Sequence, residues 1–182
     1  PLLSSDLLNK EFNSNIFIKA ENLQKIGAFK FRGAMNSILK LDDDKKNVLA
    51  WSSGNHAQAV ASACYLTNKN ATIVMPEDSP NAKLNGTKSW GANVVTFNRY
   101  SESREEIGTN LAKEINAEII PPFDHPDVIN GQGTVGYEII NEFKKNNLIP
   151  DLVLCCCGGG GLIAGVSTAI KAEYPNIPCL LY

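Results

Sequence analysis

The sequence predicts an α/β fold built on an open parallel sheet with helices on both faces. Short apolar runs alternate with longer stretches of helical spacing along most of the 182 residues. Such alternation is typical of βαβ units, in which helices connect neighbouring parallel strands. The run at residues 152–157 (Leu-Val-Leu-Cys-Cys-Cys) is apolar throughout, which favours a strand buried on both of its faces.

The elements follow one another in a regular order. Strands are predicted at residues 16–18, 48–51, 71–75, 93–97, 117–120, 151–157 and 177–181, and helices at residues 31–39, 55–67, 81–90, 102–115, 133–145 and 162–174. Pro76 stops one strand, and Gly91 closes one helix. The chain ends inside the last predicted strand, so we expect a C-terminal part of the fold to be absent.

Composition narrows the possible function classes. The formal net charge is −2, which gives no electrostatic reason to expect nucleic-acid or membrane partners. No stretch is long and apolar enough to span a bilayer, and no signal peptide is visible at the start. We therefore expect a protein that binds neither nucleic acid nor membranes.

The cysteines suggest a reducing compartment. Five are present, without C-x-x-C spacing, which argues against a disulfide framework or a zinc site. The two histidines have no metal-ligand spacing either, so no metal site is predicted. Cys155, Cys156 and Cys157 lie in the apolar run and are expected to act as small buried hydrophobes. The cytoplasm is the expected location.

Four consecutive glycines, Gly158, Gly159, Gly160 and Gly161, stand between a predicted strand and the helix that starts at Leu162. Their backbone can approach a ligand closely, and free N–H groups at a helix start favour an anion. The loop and the Leu162 N–H could therefore hold a phosphate. The spacing is neither that of a Walker A loop nor G-x-G-x-x-G. The alternative is a tight strand–helix turn without a ligand.

Lys30 lies at the start of a predicted helix, between Phe29 and Phe31. These aromatic neighbours would desolvate its ammonium group and lower its pKa, which favours the nucleophilic amine. The alternative is a surface lysine whose stem packs along apolar side chains. Lys30 is thus a candidate for forming an imine.

A polar turn, Ser52-Ser53-Gly54-Asn55-His56, follows one predicted strand and opens a helix. It therefore lies at the carboxyl edge of the sheet, where open α/β sheets bind ligands, and its helix start suits a carboxylate. Two simpler interpretations stay open: Ser53 or Asn55 caps the helix, and His56 is a satisfied core histidine. A serine hydrolase is disfavoured because no G-x-S-x-G motif is present.

Together, these motifs make the chain resemble the fold-type II pyridoxal-phosphate enzymes, in particular the serine/threonine dehydratase and serine racemase group. The resemblance covers nearly the whole chain and rests on residues 19–24, 27–34, 52–58, 131–134 and 158–161. It implies a two-lobed, open parallel-sheet fold of the tryptophan synthase β-like kind. It also implies pyridoxal 5′-phosphate as the cofactor.

The resemblance implies where the lobes divide. Residues 1–46 and 124–182 would form the large cofactor-binding lobe, incomplete at its C-terminus. Residues 47–123 would form a small mobile lobe that carries the polar turn. Closure of the small lobe on a substrate would exclude water.

The resemblance also implies a role for each motif. Lys30 would form the Schiff base with the cofactor, and Asn55 would bond its phenolic oxygen. The cofactor phosphate would be held by Gly158, Gly159, Gly160, Gly161 and the Leu162 backbone. The substrate carboxylate would be received by Ser52, Ser53, Asn55 and His56.

Further implications concern neighbouring positions and partners. Ala28 stands where the family usually has serine, which removes one hydroxyl near the site. The partner of the pyridine nitrogen, and the divalent-cation ligands of some members, would lie beyond Tyr182. The family is commonly dimeric, which implies a homodimer. A regulatory nucleotide would be bound through Ser4, Ser5, Lys25 and Gln58.

For the activity, the resemblance implies dehydration and deamination of L-threonine, L-serine or 3-hydroxyaspartate to a 2-oxo acid and ammonia, with Lys30 as general base. Racemisation of serine or hydroxyaspartate is the main alternative. It needs an acid on the opposite face of the substrate, and Ser53 resembles the residue that plays this part in serine racemases. A second alternative is a phosphate- or nucleotide-binding module without imine chemistry.

Overall fold

A computed structural model describes all of residues 1–182. The strands are β1 Leu2–Ser4, β2 Phe17–Lys19, β3 Asn47–Trp51, β4 Asn70–Pro76, β5 Asn93–Phe97, β6 Ala117–Ile119, β7 Val153–Cys155 and β8 Cys179–Leu181. The helices are α1 Asp6–Phe12, α2 Lys30–Leu39, α3 Asn55–Leu66, α4 Asn81–Lys88, α5 Arg104–Glu114, α6 Pro126–Lys145 and α7 Gly161–Glu173. No helix is both long and apolar enough to cross a membrane.

A four-stranded parallel sheet in the order β5-β4-β3-β6 forms the centre of the fold. Successive residues of a strand point to opposite faces. Val48 and Ala50 of β3 accordingly pack in one cluster with residues of α2 and α3. Leu49 packs on the other face with Ala112 of α5. The prediction of a parallel sheet covered on both faces is therefore confirmed.

The direction of strand addition reverses at β3. Strands β4 and β5 lie on one side of β3, and β6 lies on the other, all of them parallel. In open α/β sheets, ligands bind at such a reversal, outside the carboxyl ends of the strands. Two segments leave the sheet at this point. They are the polar turn of residues 52–56 after β3 and residues 120–123 after β6, which we call the bridging segment.

Helix α6 begins at Pro126 rather than at the predicted residue 133. Proline suits the first position of a helix, where its missing N–H is not needed. His125 is the N-cap residue, and its Nδ1 accepts a hydrogen bond from the Asp127 N–H at 3.2 Å. The helix start is thus encoded locally, seven residues before the stretch with clear helical spacing.

The glycines of α6 explain why its first two turns resemble a loop in the sequence. A β-carbon on Gly131 would lie 2.5 Å from the Arg32 carbonyl oxygen. One on Gly133 would lie 3.1 Å from the Gly165 carbonyl oxygen. Glycine is therefore required where α6 crosses α2 and α7 closely, although it weakens the helix itself. Helix packing decides these positions against local propensity.

Residues 2–12 fold, although the sequence predicted no element there. Strand β1 pairs antiparallel with β2, and α1 lies between them in the chain. Ser5 is the N-cap of α1 and accepts a hydrogen bond from the Leu8 N–H at 3.5 Å. The Ser4 hydroxyl donates to the Ile16 carbonyl oxygen at 3.1 Å. Both serines implied for a nucleotide effector therefore have local partners.

The apolar run at residues 152–157 forms a shorter and more exposed strand than predicted. Strand β7 pairs only with β8, in a two-stranded parallel sheet. Val153 packs with the cluster that includes α7 residues. Leu152 and Leu154 point to the other face and are 44% and 64% exposed. The prediction of a strand buried on both faces is wrong, because only one face of this small sheet is covered.

The three consecutive cysteines differ in burial. Cys155 is buried at the end of β7, whereas Cys156 and Cys157 lie beyond the strand and are exposed. The prediction that all three are buried hydrophobes is therefore wrong for the last two. The reason is that the backbone leaves the sheet here to enter the glycine loop. All five cysteines of the chain are free thiols.

Candidate active site

Lys30 is the first residue of helix α2. Its Nζ donates a hydrogen bond to the Pro122 carbonyl oxygen in the bridging segment. The ring centroids of Phe29 and Phe123 lie 5.4 and 5.8 Å from Nζ. Burial lowers the pKa of Lys30 below the ordinary lysine value, because the charged form loses hydration.

No carboxylate neutralises this lysine. Lys30 takes part in none of the ion pairs of the structure, so nothing opposes the effect of burial on its pKa. The lowered pKa makes the neutral, nucleophilic form of the amine easier to reach than in an ordinary lysine. Of the two aromatic neighbours in sequence, Phe29 lies beside the amine, whereas the Phe31 ring packs on the core and lies 5.6 Å from Lys25 Nζ. Phe123, which the sequence did not single out, is the second ring.

Arg32, two residues beyond Lys30, fixes the start of α2. Its side chain is only 9% exposed and bonds two carboxylates at once, from Nε to Glu21 at 2.7 Å and from Nη1 to Glu138 at 2.6 Å. Forked, charge-assisted hydrogen bonds of this kind are among the strongest in proteins. Glu21 precedes α2 and Glu138 lies on α6. The guanidinium therefore ties the helix that carries Lys30 to two neighbouring segments.

The polar turn after β3 offers free hydrogen-bond donors. Helix α3 begins at Asn55, and no side chain caps it. The N–H groups of residues 55–57 consequently have no acceptor, as in any uncapped first turn. The Ser52 hydroxyl accepts only from the Gly54 N–H, at 3.2 Å. The alternative in which Ser53 or Asn55 merely caps the helix is therefore wrong, and the turn is suited to a carboxylate.

The His56 imidazole lies in the core. It is 3% exposed, and Nε2 bonds the Ile120 carbonyl oxygen at 2.8 Å. A carbonyl oxygen only accepts, so the proton is on Nε2, and Nδ1 keeps a lone pair without a partner. Burial lowers the pKa of His56 to about 4, although the bond to Ile120 favours the charged form. For a substrate carboxylate, only the backbone N–H of His56 is accessible.

The buried imidazole predicts a loss of stability in mildly acidic solution. Folded His56 has a pKa of about 4, whereas in the unfolded chain it titrates near its ordinary value. Between about pH 6.5 and 4 the unfolded state binds the additional proton, so the free energy of unfolding falls by about 3 kcal/mol as the pH is lowered. Urea unfolding at several pH values measures this fall.

A second effect of pH on stability comes from the Glu138 carboxylate, and it falls in a different pH window. Hydrogen bonds from Arg32 lower the pKa of Glu138 to about 2, so its contribution is lost only at lower pH. His56→Gln, whose amide does not titrate, is expected to remove the slope between about pH 6.5 and 4 and to leave the steeper acid limb. A wild-type stability that stays constant in this window would contradict the buried neutral imidazole.

The four consecutive glycines have two separate structural reasons. Gly160 has a φ of +83°, in the left-handed region that favours glycine. Gly159 and Gly161 lie against Phe123: a β-carbon on Gly159 would overlap its ring, and one on Gly161 would lie 2.9 Å from its carbonyl oxygen. A β-carbon on Gly158 or Gly160 would meet nothing within 4 Å. Contact with Phe123 therefore accounts for part of the glycine run.

The N–H groups of the glycine loop are free to bind an anion. None of the backbone N–H groups of residues 158–162 donates to an acceptor within the protein. Helix α7 begins at Gly161, which adds the positive end of its dipole. Five free donors at a helix start form a cradle of the kind that holds a phosphate.

The bridging segment connects motifs that lie far apart in the sequence. Ile120 contacts the helix that follows the polar turn, Pro122 contacts Lys30, and Phe123 packs on the glycine loop. The sequence indicated only that Pro121 and Pro122 end a strand. The available signal was position, because the segment follows a strand at the carboxyl edge of a parallel sheet.

A polar cleft of about 320 Å³ opens at the carboxyl ends of β3, β4 and β5. Ser52 and Ser53 line it together with two arginines and two glutamates, Arg99, Arg104, Glu102 and Glu105. Arg104 pairs only with the adjacent Glu105, at 2.7 Å, and both side chains are more than half exposed. Exposed pairs are weak. Arg104 is therefore able to exchange this partner for an anionic ligand.

Comparison with known protein families bears on this site directly. The model of the family described as "Pyridoxal-phosphate dependent enzyme" matches residues 1–181. The chain belongs to this family. Membership of the fold-type II group, which the motifs predicted, is confirmed, and so is the predicted fold class.

Individual members of the family are similar over the whole of this chain. L-threo-3-hydroxyaspartate ammonia-lyase of Saccharomyces cerevisiae is 49% identical over 97% of the chain and 53% of its own length. Serine racemase of Schizosaccharomyces pombe is 42% identical over 100% and 55%. The structure of maize serine racemase superposes with a TM-score of 0.94, at 39% identity over 100% and 54%. A threonine deaminase structure superposes equally well, with a TM-score of 0.94 at 44% identity over 100% and 58%. The chain thus spans about half the length of these relatives.

Proposed function

We propose that this protein catalyses the pyridoxal-phosphate-dependent dehydration and deamination of a small hydroxy amino acid, giving a 2-oxo acid and ammonia. The bridging segment carries the proposal. It sets a half-buried amine that no carboxylate neutralises beside a loop with five free N–H groups. An amine and an anion cradle are the two attachment points that this cofactor needs. The names of the similar ammonia-lyase and threonine deaminase support the same reaction class.

The residues present fit the cofactor. We assign the Lys30 amine to its aldehyde carbon and the exposed Asn55 amide to its phenolic oxygen. The phosphate is assigned to the N–H groups of Gly158, Gly159, Gly160, Gly161 and Leu162. When bound, pyridoxal phosphate supplies a ring that accepts electron density from the substrate Cα.

The side chains and backbone then act on the substrate. Ser52, Ser53 and the free N–H groups of residues 55–57 receive its carboxylate. The Lys30 amine, held close to Cα, removes the Cα proton as general base. Loss of the β-hydroxyl as water leaves an enamine, and its hydrolysis gives the 2-oxo acid and ammonia.

The lobe division supports a closing motion. We assign residues 47–123 to a small mobile lobe and residues 1–46 and 124–182 to the large lobe. All four strands of the central sheet lie between residues 47 and 119, whereas α6 and α7 lie outside this range; α2 also lies outside it in sequence but packs on the sheet beside α3. Closure of the small lobe on the substrate would exclude water from the surroundings of the Lys30 amine.

The proposal is tested with three substrates. The absorbance spectrum of the protein with pyridoxal phosphate is recorded before and after addition of L-serine, L-threonine or L-threo-3-hydroxyaspartate, while 2-oxo acid release is followed. A visible band that shifts with one substrate, together with oxo acid, is the expected result. A spectrum without any cofactor band would refute the proposal.

Among these substrates only 3-hydroxyaspartate carries a second carboxylate, and we assign that carboxylate to Arg104, because Arg104 pairs only with the exposed, adjacent Glu105. We expect Arg104→Ala to lower kcat/KM for L-threo-3-hydroxyaspartate by about 10- to 100-fold, since a charge-assisted hydrogen bond is worth about 1.5–3 kcal/mol. The value for L-serine should change by less than about threefold. Steady-state kinetics with both substrates measure the difference.

A matched control lies on the same helix. Lys113→Ala removes a positive charge from the last turn of α5, and Lys113 does not line the cleft. This variant should leave kcat/KM unchanged for both substrates. If Arg104→Ala lowered kcat/KM equally for both substrates, Arg104 would bind the carboxylate that the two substrates share. That outcome would contradict the assignment of Arg104 to the side-chain carboxylate.

Racemisation is the second candidate, because Ser53 lines the cleft and is exposed to a substrate there. Racemisation needs an acid on the face of Cα opposite Lys30. We expect Ser53→Ala to reduce racemisation of L-serine by at least about 100-fold, the lower range for general acid–base catalysis. Elimination from the L substrate should persist. If neither reaction changes, Ser53 has no acid–base role.

The remaining partners follow from the resemblance. We propose a homodimer, which sedimentation velocity tests directly. We also propose the cytoplasm as the location, supported by five free cysteines.

A nucleotide effector at Ser4, Ser5, Lys25 and Gln58 would have to compete with the local bonds of the two serines. Titration with adenosine triphosphate during the kinetic assay tests this part.

A further inference from the structure

We propose that His56 is a positioning residue: through its hydrogen bond to Ile120, the imidazole holds the bridging segment where it contacts Lys30 and the glycine loop. The imidazole touches neither substrate nor cofactor and acts through the backbone of residues 120–123. The inference rests on the proposed function, because the geometry it maintains is that of the cofactor-binding amine. It gives the buried side chain a task other than carboxylate binding.

The first step is the hold on Ile120. His56 is the last residue of the polar turn and the second residue of α3, and its side chain is buried. Its Nε2–H donates to the Ile120 carbonyl oxygen at 2.8 Å. The Ile120 N–H donates in turn to the Leu49 carbonyl oxygen of β3 at 2.9 Å. Ile120 is 3% exposed, so without His56 its carbonyl oxygen would be buried without a partner.

The second step runs along the bridging segment. Pro121 and Pro122 have φ values fixed by their rings, so a shift of Ile120 is passed on rather than absorbed. The Pro122 carbonyl oxygen accepts the hydrogen bond from Lys30 Nζ. The Phe123 ring covers the glycine loop at Gly159. One hydrogen bond from α3 thereby sets both attachment points of the cofactor.

The imidazole itself points to this use. A neutral ring has one donor and one acceptor, and here the acceptor Nδ1 is buried without a partner. An unpaired buried acceptor disfavours folding, and an apolar side chain of similar size would avoid that penalty. The only hydrogen bond that the imidazole forms is the one to the Ile120 carbonyl oxygen. Burial and the nearby Lys30 charge both lower the pKa of His56, which keeps the ring neutral.

Two amide substitutions separate the hydrogen bond from burial. His56→Gln places its amide nitrogen near the position of Nε2, whereas His56→Asn is one carbon shorter and does not reach Ile120. Each protein is loaded with pyridoxal phosphate and transferred to cofactor-free buffer, and the lifetime of the adduct is followed by absorbance. Borohydride trapping and mass spectrometry measure the fraction of Lys30 still modified.

We expect the adduct of His56→Asn to disappear at least about tenfold faster than that of the wild type, since a buried carbonyl loses its donor. The adduct of His56→Gln should stay within about threefold of the wild type. Ser62→Ala is the matched control. It removes another buried hydrogen bond of α3, from Ser62 Oγ to the Ala59 carbonyl oxygen at 3.2 Å, and should leave the adduct lifetime unchanged.

Each outcome decides the question. Rapid loss of the adduct from His56→Asn, together with an adduct lifetime close to that of the wild type in His56→Gln, supports the positioning role. Wild-type lifetimes in both variants would overturn it. Rapid loss in His56→Gln, even if His56→Asn does not fold, would also overturn it, because the bond to Ile120 would then be insufficient. Absence of any adduct in the wild type would instead refute the proposed function.

Discussion

Replacing Lys30 with alanine is expected to abolish the covalent adduct with pyridoxal phosphate and to lower kcat for every hydroxy amino acid by at least about 1,000-fold. The side chain supplies both the imine nitrogen and the general base, and either role alone is worth orders of magnitude in rate. Folding should persist, because Lys30 forms no ion pair and its amine bonds only the Pro122 carbonyl oxygen. Absorbance, borohydride trapping and oxo acid release measure the result.

Two controls make this result specific. Lys30→Arg keeps the positive charge but removes the nucleophilic amine, and it should be as inactive as the alanine variant. Lys40→Ala removes an exposed lysine at the other end of α2, paired with Asp127 at 2.5 Å, and should stay active. If Lys30→Ala bound pyridoxal phosphate as tightly as the wild type, the phosphate- or nucleotide-binding module without imine chemistry would be the better account, and a reducible adduct remaining in this variant would mean that another amine forms the imine.

The second large effect concerns folding. Gly165→Ala is expected to lower the free energy of unfolding by about 3 kcal/mol or more, through overpacking at a backbone contact. A β-carbon on Gly165 would overlap the Ile129 carbonyl oxygen and lie 2.5 Å from the Gly133 nitrogen, both on α6. Neither atom can move without displacing the helix. Urea or thermal unfolding measures the loss.

Gly165 itself lies on α7, the helix that begins in the glycine loop, so the overlap would push α7 away from α6. The same Gly165→Ala variant should therefore weaken binding of pyridoxal phosphate as well as stability. Gly86→Ala is the matched control within a helix, because its β-carbon would meet only the flexible end of Gln58, at 3.3 Å. That change should be neutral or stabilising by up to about 1 kcal/mol. Equal stabilities of the two variants would contradict the close crossing of α6 and α7.

The sequence predicted the strands of the central sheet and their layering, but it contained no signal for the strand order. β-Branched and apolar runs bounded by proline or glycine located the strands of the central sheet, and β5 begins and ends where predicted, at Asn93 and Phe97. Local signals suffice there because the apolar side chains of these strands pack in the two core clusters on the faces of the sheet. The reversal of strand order at β3 depends on long-range pairing with β6, which no local pattern contains.

In the candidate site, too, the features with a local sequence pattern were predicted and those that depend on long-range contacts were not. Lys30, the polar turn and the glycine loop were visible as residue types in unusual settings. The bridging segment was not, because it acts through the Ile120 and Pro122 carbonyl oxygens and the position of one ring. Backbone acceptors leave no trace in a sequence. The burial of the His56 side chain likewise depends on packing with distant segments.

The most direct test of the central claim is to locate the cofactor on the chain. The protein is incubated with pyridoxal phosphate, reduced with borohydride, digested and analysed by mass spectrometry. Modification of Lys30 is the expected result. Lys83 is the competing amine, since its Nζ lies 3.5 Å from the β-carbon position of Gly54 in the polar turn. Modification of Lys83 with Lys30 intact, or of no lysine at all, would contradict the assignment of Lys30 as the cofactor-binding amine.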